Sequence, residues 1–255
     1  MSKEFFLRFS LQQMGGCMSQ DVYEVKQAID ATGDEMDCIL CKFKQSVQKR
    51  SDGLKLKYPN LGDLKGKKVL FVGDSITADK MGYRNVVCEV ASLDGMCLAY
   101  SGATSTDMYR FVNERICTFN PDIVSVMIGT NEAFFHSGVQ KENLVSKYEY
   151  ERNIRGILET ATKHIKQVII STIPQCVESA LCDEFKYNTD ENISAYNQIV
   201  RKVASDFDVI LVDFEAKLKT MPKDGLYEPD GVHLSPDGHD VLADLWLGAI
   251  SKQCS

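Results

Sequence analysis

Lys68-Val69-Leu70-Phe71-Val72-Gly73-Asp74-Ser75-Ile76-Thr77 is the stretch from which the rest of the chain is read. Four consecutive apolar residues run straight into a glycine and small polar residues. An apolar run this short, bounded by turn residues, fits a strand covered on both faces. The turn that follows leaves the Ser75 hydroxyl at the carboxyl end of that strand. The same pattern recurs downstream. Strands are expected over 68–72, 96–100, 122–128, 167–173 and 208–213, and helical periodicity fills 83–93, 105–116, 146–164, 190–206 and 236–251. Ser235-Pro236 reads as an N-cap followed by proline at the first helical position. Strands alternating with helices imply an α/β fold, with a parallel sheet between two helical layers.

Upstream the pattern differs. Val22, Val25, Ala28 and Ile29, then Met36, Ile39, Leu40, Phe43 and Val47, recur at helical spacing, with Thr32-Gly33 as a break. A basic stretch from Lys42 to Lys68 reads as a solvated helix face and linker rather than a polyanion site. Asp52-Gly53, Pro59-Asn60 and Gly62-Asp63 are expected turns. The division expected is therefore a helical extension and linker over 1–66 and a catalytic domain over 67–255.

Bulk properties narrow the function. A chain of 255 residues suits one large domain with an extension. A net charge of −7 disfavours nucleic acid as a partner, because phosphate binding needs a basic face. The nine cysteines are odd in number and scattered, unlike a disulfide scaffold, which favours a reducing, cytoplasmic setting. The first residues lack a signal-peptide pattern. No apolar run reaches the ~20 residues of a membrane-spanning helix.

Four short blocks carry the chemistry: Gly73-Asp74-Ser75-Ile76, Ser101-Gly102-Ala103-Thr104, Gly129-Thr130-Asn131-Glu132 and Asp230-Gly231-Val232-His233. Three follow expected strands, and the fourth lies in the connection after the last strand. All four then emerge on one rim of the sheet, where open parallel sheets bind ligands. A serine hydroxyl needs a base to become a nucleophile, and an imidazole is the natural one near neutral pH. Asp230 is close enough in sequence to orient His233 through Nδ1, leaving Nε2 for Ser75. The backbone N–H groups of Ser75 and Gly102 and the Asn131 amide are candidate donors to an oxyanion. Taken singly, each residue has a bland reading as a turn, cap or brace. Their combination and order point to acyl-transfer catalysis.

These blocks resemble those of the SGNH hydrolase superfamily, the GDSL esterases and lipases, over about Lys67 to Lys252. The resemblance implies a flavodoxin-like three-layer α/β/α fold around a five-stranded parallel sheet. It implies a Ser–His–Asp triad of Ser75, His233 and Asp230, with Ser75, Gly102 and Asn131 forming the oxyanion hole. Ile76 stands where the family name has leucine, and Glu132 where the third block often has aspartate. The second change puts the bracing of Asn131 in question. No cofactor and no metal ligand are expected.

The function expected is hydrolysis of a carboxylic ester with a short acyl group, such as acetyl, through an acyl-enzyme on Ser75. The substrate would be a small molecule, an acetylated sugar among the candidates. Ile76, Thr130, Phe134 and Val232 are the expected substrate contacts; Phe134 and Phe135 suggest an apolar wall, with a core role for one of them as the equal alternative. The alternatives are an acyltransferase using the same acyl-enzyme and a non-catalytic binding module. Cys38-Ile39-Leu40-Cys41 is read as a packed helical pair, and His136, His164 and His239 as surface or packing residues.

Overall fold

The computed structural model describes residues 33–134, 143–182, 188 and 190–253. Its five strands are β1 Lys68–Gly73, β2 Asp94–Ala99, β3 Ile123–Met127, β4 Gln167–Ser171 and β5 Ile210–Val212. They form one parallel sheet in the order β2-β1-β3-β4-β5. All of β3 is buried, as is β1 after Lys68, which is why both read as apolar runs without alternation. Gly73 pairs with Ala99 on one side and Met127 on the other. The three loops that follow therefore leave the sheet side by side.

The helices are α1 Gly33–Lys57, α2 Ser75–Ala78, α3 Tyr83–Ala91, α4 Ser105–Phe119, α5 Thr130–Ala133, α6 Lys147–His164, α7 Asp190–Asp206, α8 Phe214–Leu218 and α9 Pro236–Ser251. Right-handed crossovers, the rule for parallel strands, would distribute them over both faces, and their packing partners agree. α3 carries the chain from β1 outward to β2, and α4 brings it back to β3 over the opposite face. α6 and α7 continue on the α4 side, packing in sequence, while α9 returns to pack on α3. The result is a three-layer α/β/α fold. Its strand order reverses beside β1, the switch point where such sheets open a crevice.

Each interface buries aromatic residues whose polar atoms are satisfied. Phe71, Tyr83 and Trp246 meet on the α3/α9 side, with Phe71 ring centroids 5.9 and 6.1 Å from the other two. The Trp246 indole N–H donates to Ser125 Oγ in β3 at 2.9 Å. On the opposite side Tyr150 and Tyr196 pack edge-to-face at 5.0 Å. Their hydroxyls donate to the Ile128 and Val145 carbonyls. Full burial of a large apolar side chain stabilises by about 1.5–3 kcal/mol, so these clusters fix the layers firmly.

The chain upstream of β1 departs from its expected layout. The turn expected at Asp52-Gly53 lies inside α1, which runs unbroken to Lys57. Mid-helix glycine costs roughly 1 kcal/mol against alanine, but tertiary contacts outweigh it. Phe43 and Val47 are buried, and Leu54 packs on the core. Lys55 pairs with Glu89 on α3, while Arg50 and Lys57 pair with Asp240 and Asp244 on α9. Part of the basic face thus meets acids of the domain it packs against. Cys41 is exposed rather than packed, and the Cys38 side chain lies outside the described residues, as do residues 1–32, Phe135 and His136. Among the described residues no helix is long and apolar enough to cross a membrane, and none group as three or more potential metal ligands.

Candidate active site

Ser75 is placed by the end of β1. A Cβ on Gly73 would overlap Thr77 Oγ1 and the Met127 carbonyl oxygen, so only glycine lets the chain turn so tightly there. Asp74 then caps α2, its Oδ1 accepting from the Ile76 N–H at 3.1 Å. Ser75 is the first residue of this single-turn helix, so its own N–H has no acceptor within the helix. The residue is 6% exposed. Burial pushes the Asp74 carboxyl above the usual carboxylate range, against the hydrogen bond from Ile76.

The imidazole arrives on a tight loop ahead of α9. Gly231 takes φ +72°, and its N–H donates to the Glu228 carbonyl at 3.0 Å. A Cβ there would lie 2.7 Å from the Val177 carbonyl oxygen, and the Val177 N–H donates to the Gly231 carbonyl at 2.8 Å. The segment after β4 therefore braces the loop. Asp230 Oδ1 accepts from the Val232 and His233 N–H groups at 2.9 and 3.0 Å. Its Oδ2 accepts from His233 Nδ1 at 2.6 Å. Nε2 is then left as the acceptor facing Ser75 Oγ at 2.9 Å. Burial pushes the Asp230 carboxyl up, but the imidazole and the two N–H groups outweigh it and hold it below its usual range. Asp230 thus stands as an ionised acceptor for the His233 ring N–H.

Two further loops complete the rim. Gly102 takes φ +77° in a turn closed by the Ala103 N–H on the Tyr100 carbonyl at 3.2 Å. Nothing lies within 4 Å of where its Cβ would be, so conformation, not space, calls for glycine. Asn131 on α5 donates one amide hydrogen to the Ala103 carbonyl at 2.8 Å. The Glu132 carboxylate accepts from the Ser105 N–H at the start of α4. The Gly102 and Asn131 loops are therefore tied together twice. Glutamate in place of aspartate still reaches a backbone donor in the neighbouring loop. The cost is burial, which pushes the Glu132 carboxyl up to about 7.

Of the four expected substrate contacts, Val232 alone keeps a partly exposed side chain. Ile76 is fully buried, and Phe134 and Thr130 are 3% and 5% exposed. Ile76 and Phe134 join the apolar core. Two features go beyond the sequence reading, which only put the bracing by Glu132 in question. Glu132 acts as a brace across loops. His239, read as a surface or packing residue, is buried against Asp79, 160 positions away, and no spacing rule reveals such a pair.

Comparison with known proteins agrees with this geometry. An acetylxylan esterase of Geobacillus stearothermophilus is 27% identical over 212 residues, covering 72% of this chain and 94% of that protein. Its crystal structure superposes with a TM-score of 0.62, over 73% of this chain and 94% of that one. Variants of that enzyme with an aspartate, a serine or a histidine replaced by alanine have been solved as catalytic mutants. A multidomain esterase of Ruminococcus flavefaciens is 27% identical over 135 residues, 52% of this chain and 16% of that protein. The GDSL-like lipase/acylhydrolase family matches residues 71–241. That span contains all four sequence blocks, and the chain belongs to this family of ester hydrolases.

Proposed function

We propose that the protein removes a short acyl group, acetyl foremost, from a hydroxyl of a small acylated carbohydrate. The observation that carries this reading is the unbroken line from Asp230 Oδ2 to His233 Nδ1 (2.6 Å) and from His233 Nε2 to Ser75 Oγ (2.9 Å). Ser75 Oγ attacks the ester carbonyl carbon while its proton passes to His233 Nε2. The tetrahedral oxyanion accepts hydrogen bonds from the N–H groups of Ser75 and Gly102 and from the second Asn131 amide hydrogen. Collapse breaks the carbon–oxygen bond to the alcohol, which takes the proton from His233. Water, activated by the same imidazole, then hydrolyses the acyl-enzyme. Val232 borders the acyl pocket with its side chain, and Ile76, Thr130 and Phe134 shape it from behind.

The acetylated-sugar class rests on the relatives, two esterases that include an acetylxylan esterase. Six free cysteines among the described residues favour a reducing compartment, and we place the protein in the cytoplasm.

Ser75→Ala is expected to lower turnover of p-nitrophenyl acetate by at least ~10⁴-fold and to abolish fluorophosphonate labelling. Retained turnover in the purified variant sinks the assignment. In a panel of acetyl, propionyl and butyryl esters and acetylated xylo-oligosaccharides, kcat/KM should be highest for acetyl. A profile rising with chain length would overturn the substrate class.

A further inference from the structure

Ser75 and His233 lie 158 positions apart, and a single hydrogen bond between them is too little to set their separation. The scaffold beneath them does more. Asp79 caps the carboxyl end of α2, its N–H donating to the Ser75 carbonyl at 3.0 Å. The first turn of α9 ends at His239, whose N–H donates to the Ser235 carbonyl at 2.9 Å, two residues beyond His233. Asp79 and His239 meet inside the protein. His239 Nε2 donates to Asp79 Oδ2 at 2.9 Å, with the two side chains 1% and 0% exposed.

The neighbouring bonds fix how this pair is made. His239 Nδ1 accepts from the Tyr83 N–H at 3.2 Å, which puts the ring proton on Nε2, toward Asp79. The other Asp79 oxygen accepts from the Met81 N–H at 2.8 Å. Arg84 Nε donates to the Thr77 carbonyl at 2.8 Å and holds the end of α2.

A second tie crosses the same junction from outside. Arg50 of α1 donates through Nη1 to the Met81 carbonyl at 2.9 Å. Its Nε donates to Asp240 Oδ1 at 2.9 Å. One guanidinium therefore joins the loop after Asp79 to the residue after His239. Arg50 lies outside the family-matched residues 71–241.

We propose that Asp79, His239 and Arg50 are positioning residues that clamp the nucleophile turn to the base helix and so hold Ser75 Oγ in register with His233 Nε2. None of them touches the reacting atoms. α1 thereby acquires a function in the reaction, as an external splint. The inference rests on Ser75 and His233 being nucleophile and base. A misplacement of 1 Å in such a pair is worth about 10²-fold in rate, which is the scale on which a clamp matters.

The test is steady-state kinetics of the full chain on p-nitrophenyl acetate, well below the melting temperature and normalised to folded protein. His239→Ala should lower kcat by roughly 10–100-fold with KM within about threefold. Acylation and deacylation both use His233 and fall together, so KM stays. His239→Gln should recover most of the loss, because its amide offers an N–H to Asp79 and a carbonyl to the Tyr83 N–H. Arg50→Met, on a residue near the surface, should cost about 3–10-fold in kcat, and the rate of Ser75 phosphonylation should fall in step. Unchanged kcat in Arg50→Met and His239→Ala, with only the melting temperature lowered, overturns the clamp. If His239→Ala does not fold, unchanged kcat in Arg50→Met alone is decisive. Ser75→Ala separates the two claims: residual turnover there refutes the triad reading, whereas an inert Ser75→Ala beside fully active clamp variants refutes only the clamp.

Discussion

At the scale of single residues, the most consequential group outside the triad is Glu132. Its carboxyl is fully buried, accepts from the Ser105 N–H and lies near the buried Asp74 carboxyl. Burial is the main cause of its rise from 4.5 to about 7, and the Asp74 charge adds to it. The sign of the linkage follows. The folded protein holds this proton more tightly than the unfolded chain does. The associated stability is full below about pH 4.5 and is lost as pH rises through about 7. A rise of this size corresponds to about 3 kcal/mol. Glu132→Gln keeps an acceptor for Ser105 and cannot ionise. Its melting temperature relative to the parent should therefore be higher at pH 8 than at pH 5, by roughly 6–12 °C at 2–4 °C per kcal/mol. Thermal melts at the two pH values read this directly. A difference that does not change with pH would show that Glu132 ionises freely in the fold.

At the scale of elements, two glycines that look alike in sequence should behave in opposite ways. Gly73 ends β1 against the Met127 carbonyl oxygen and Thr77, whereas Gly53 has nothing within 4 Å of its missing Cβ and sits inside α1. Gly53→Ala should raise stability by roughly 0.5–1 kcal/mol, through helix propensity and a less flexible unfolded chain. Gly73→Ala should lower it by about 2–3 kcal/mol through overpacking. Denaturant melts of the two variants check both signs, and equal effects would contradict the contacts described. The same pair marks how far the sequence could be read. Strands on the sheet's interior announce themselves, since β1 and β3 are apolar because both faces are covered. The helices from Asp190 and Pro236 begin and end where periodicity and caps put them. β2 begins at Asp94, before its apolar run, because Asp94 and Gly95 pair with Lys68 and Val69, and pairing has no hydrophobic signature. β5 shrinks to three residues after Asp208, which takes φ +51°. The hydrogen-bonded line of Asp230, His233 and Ser75 was legible because its spacing is local at Asp230 and His233 and strand-bound at Ser75. The Asp79–His239 pair was not, because only the folded topology brings it together.

At the scale of the whole molecule, the question is whether α1 is an appendage or part of the body. A boundary near residue 66 treats everything upstream as an extension. Yet Phe43 and Val47 are each only 6% exposed, and α1 lies along α3. Arg50, Lys55 and Lys57 add ion pairs to α3 and α9. Such partly exposed pairs are worth at most about 1 kcal/mol each, so the apolar contacts dominate. Losing the burial of Phe43 and Val47 alone removes about 3–6 kcal/mol. The partly buried Cys88 and Leu93, which line the same groove as Phe43 and Val47, would lose cover as well. A chain beginning at Tyr58 should therefore melt roughly 10–20 °C below the full chain, at 2–4 °C per kcal/mol. It should also bind an apolar dye that the full chain ignores, because the outer side of α3 is uncovered. Its kcat at low temperature should fall at least as far as that of Arg50→Met, since the outer tie on the nucleophile loop is gone. A truncated chain with an unchanged melting temperature would make α1 a passive attachment and return the domain boundary to the linker ahead of β1.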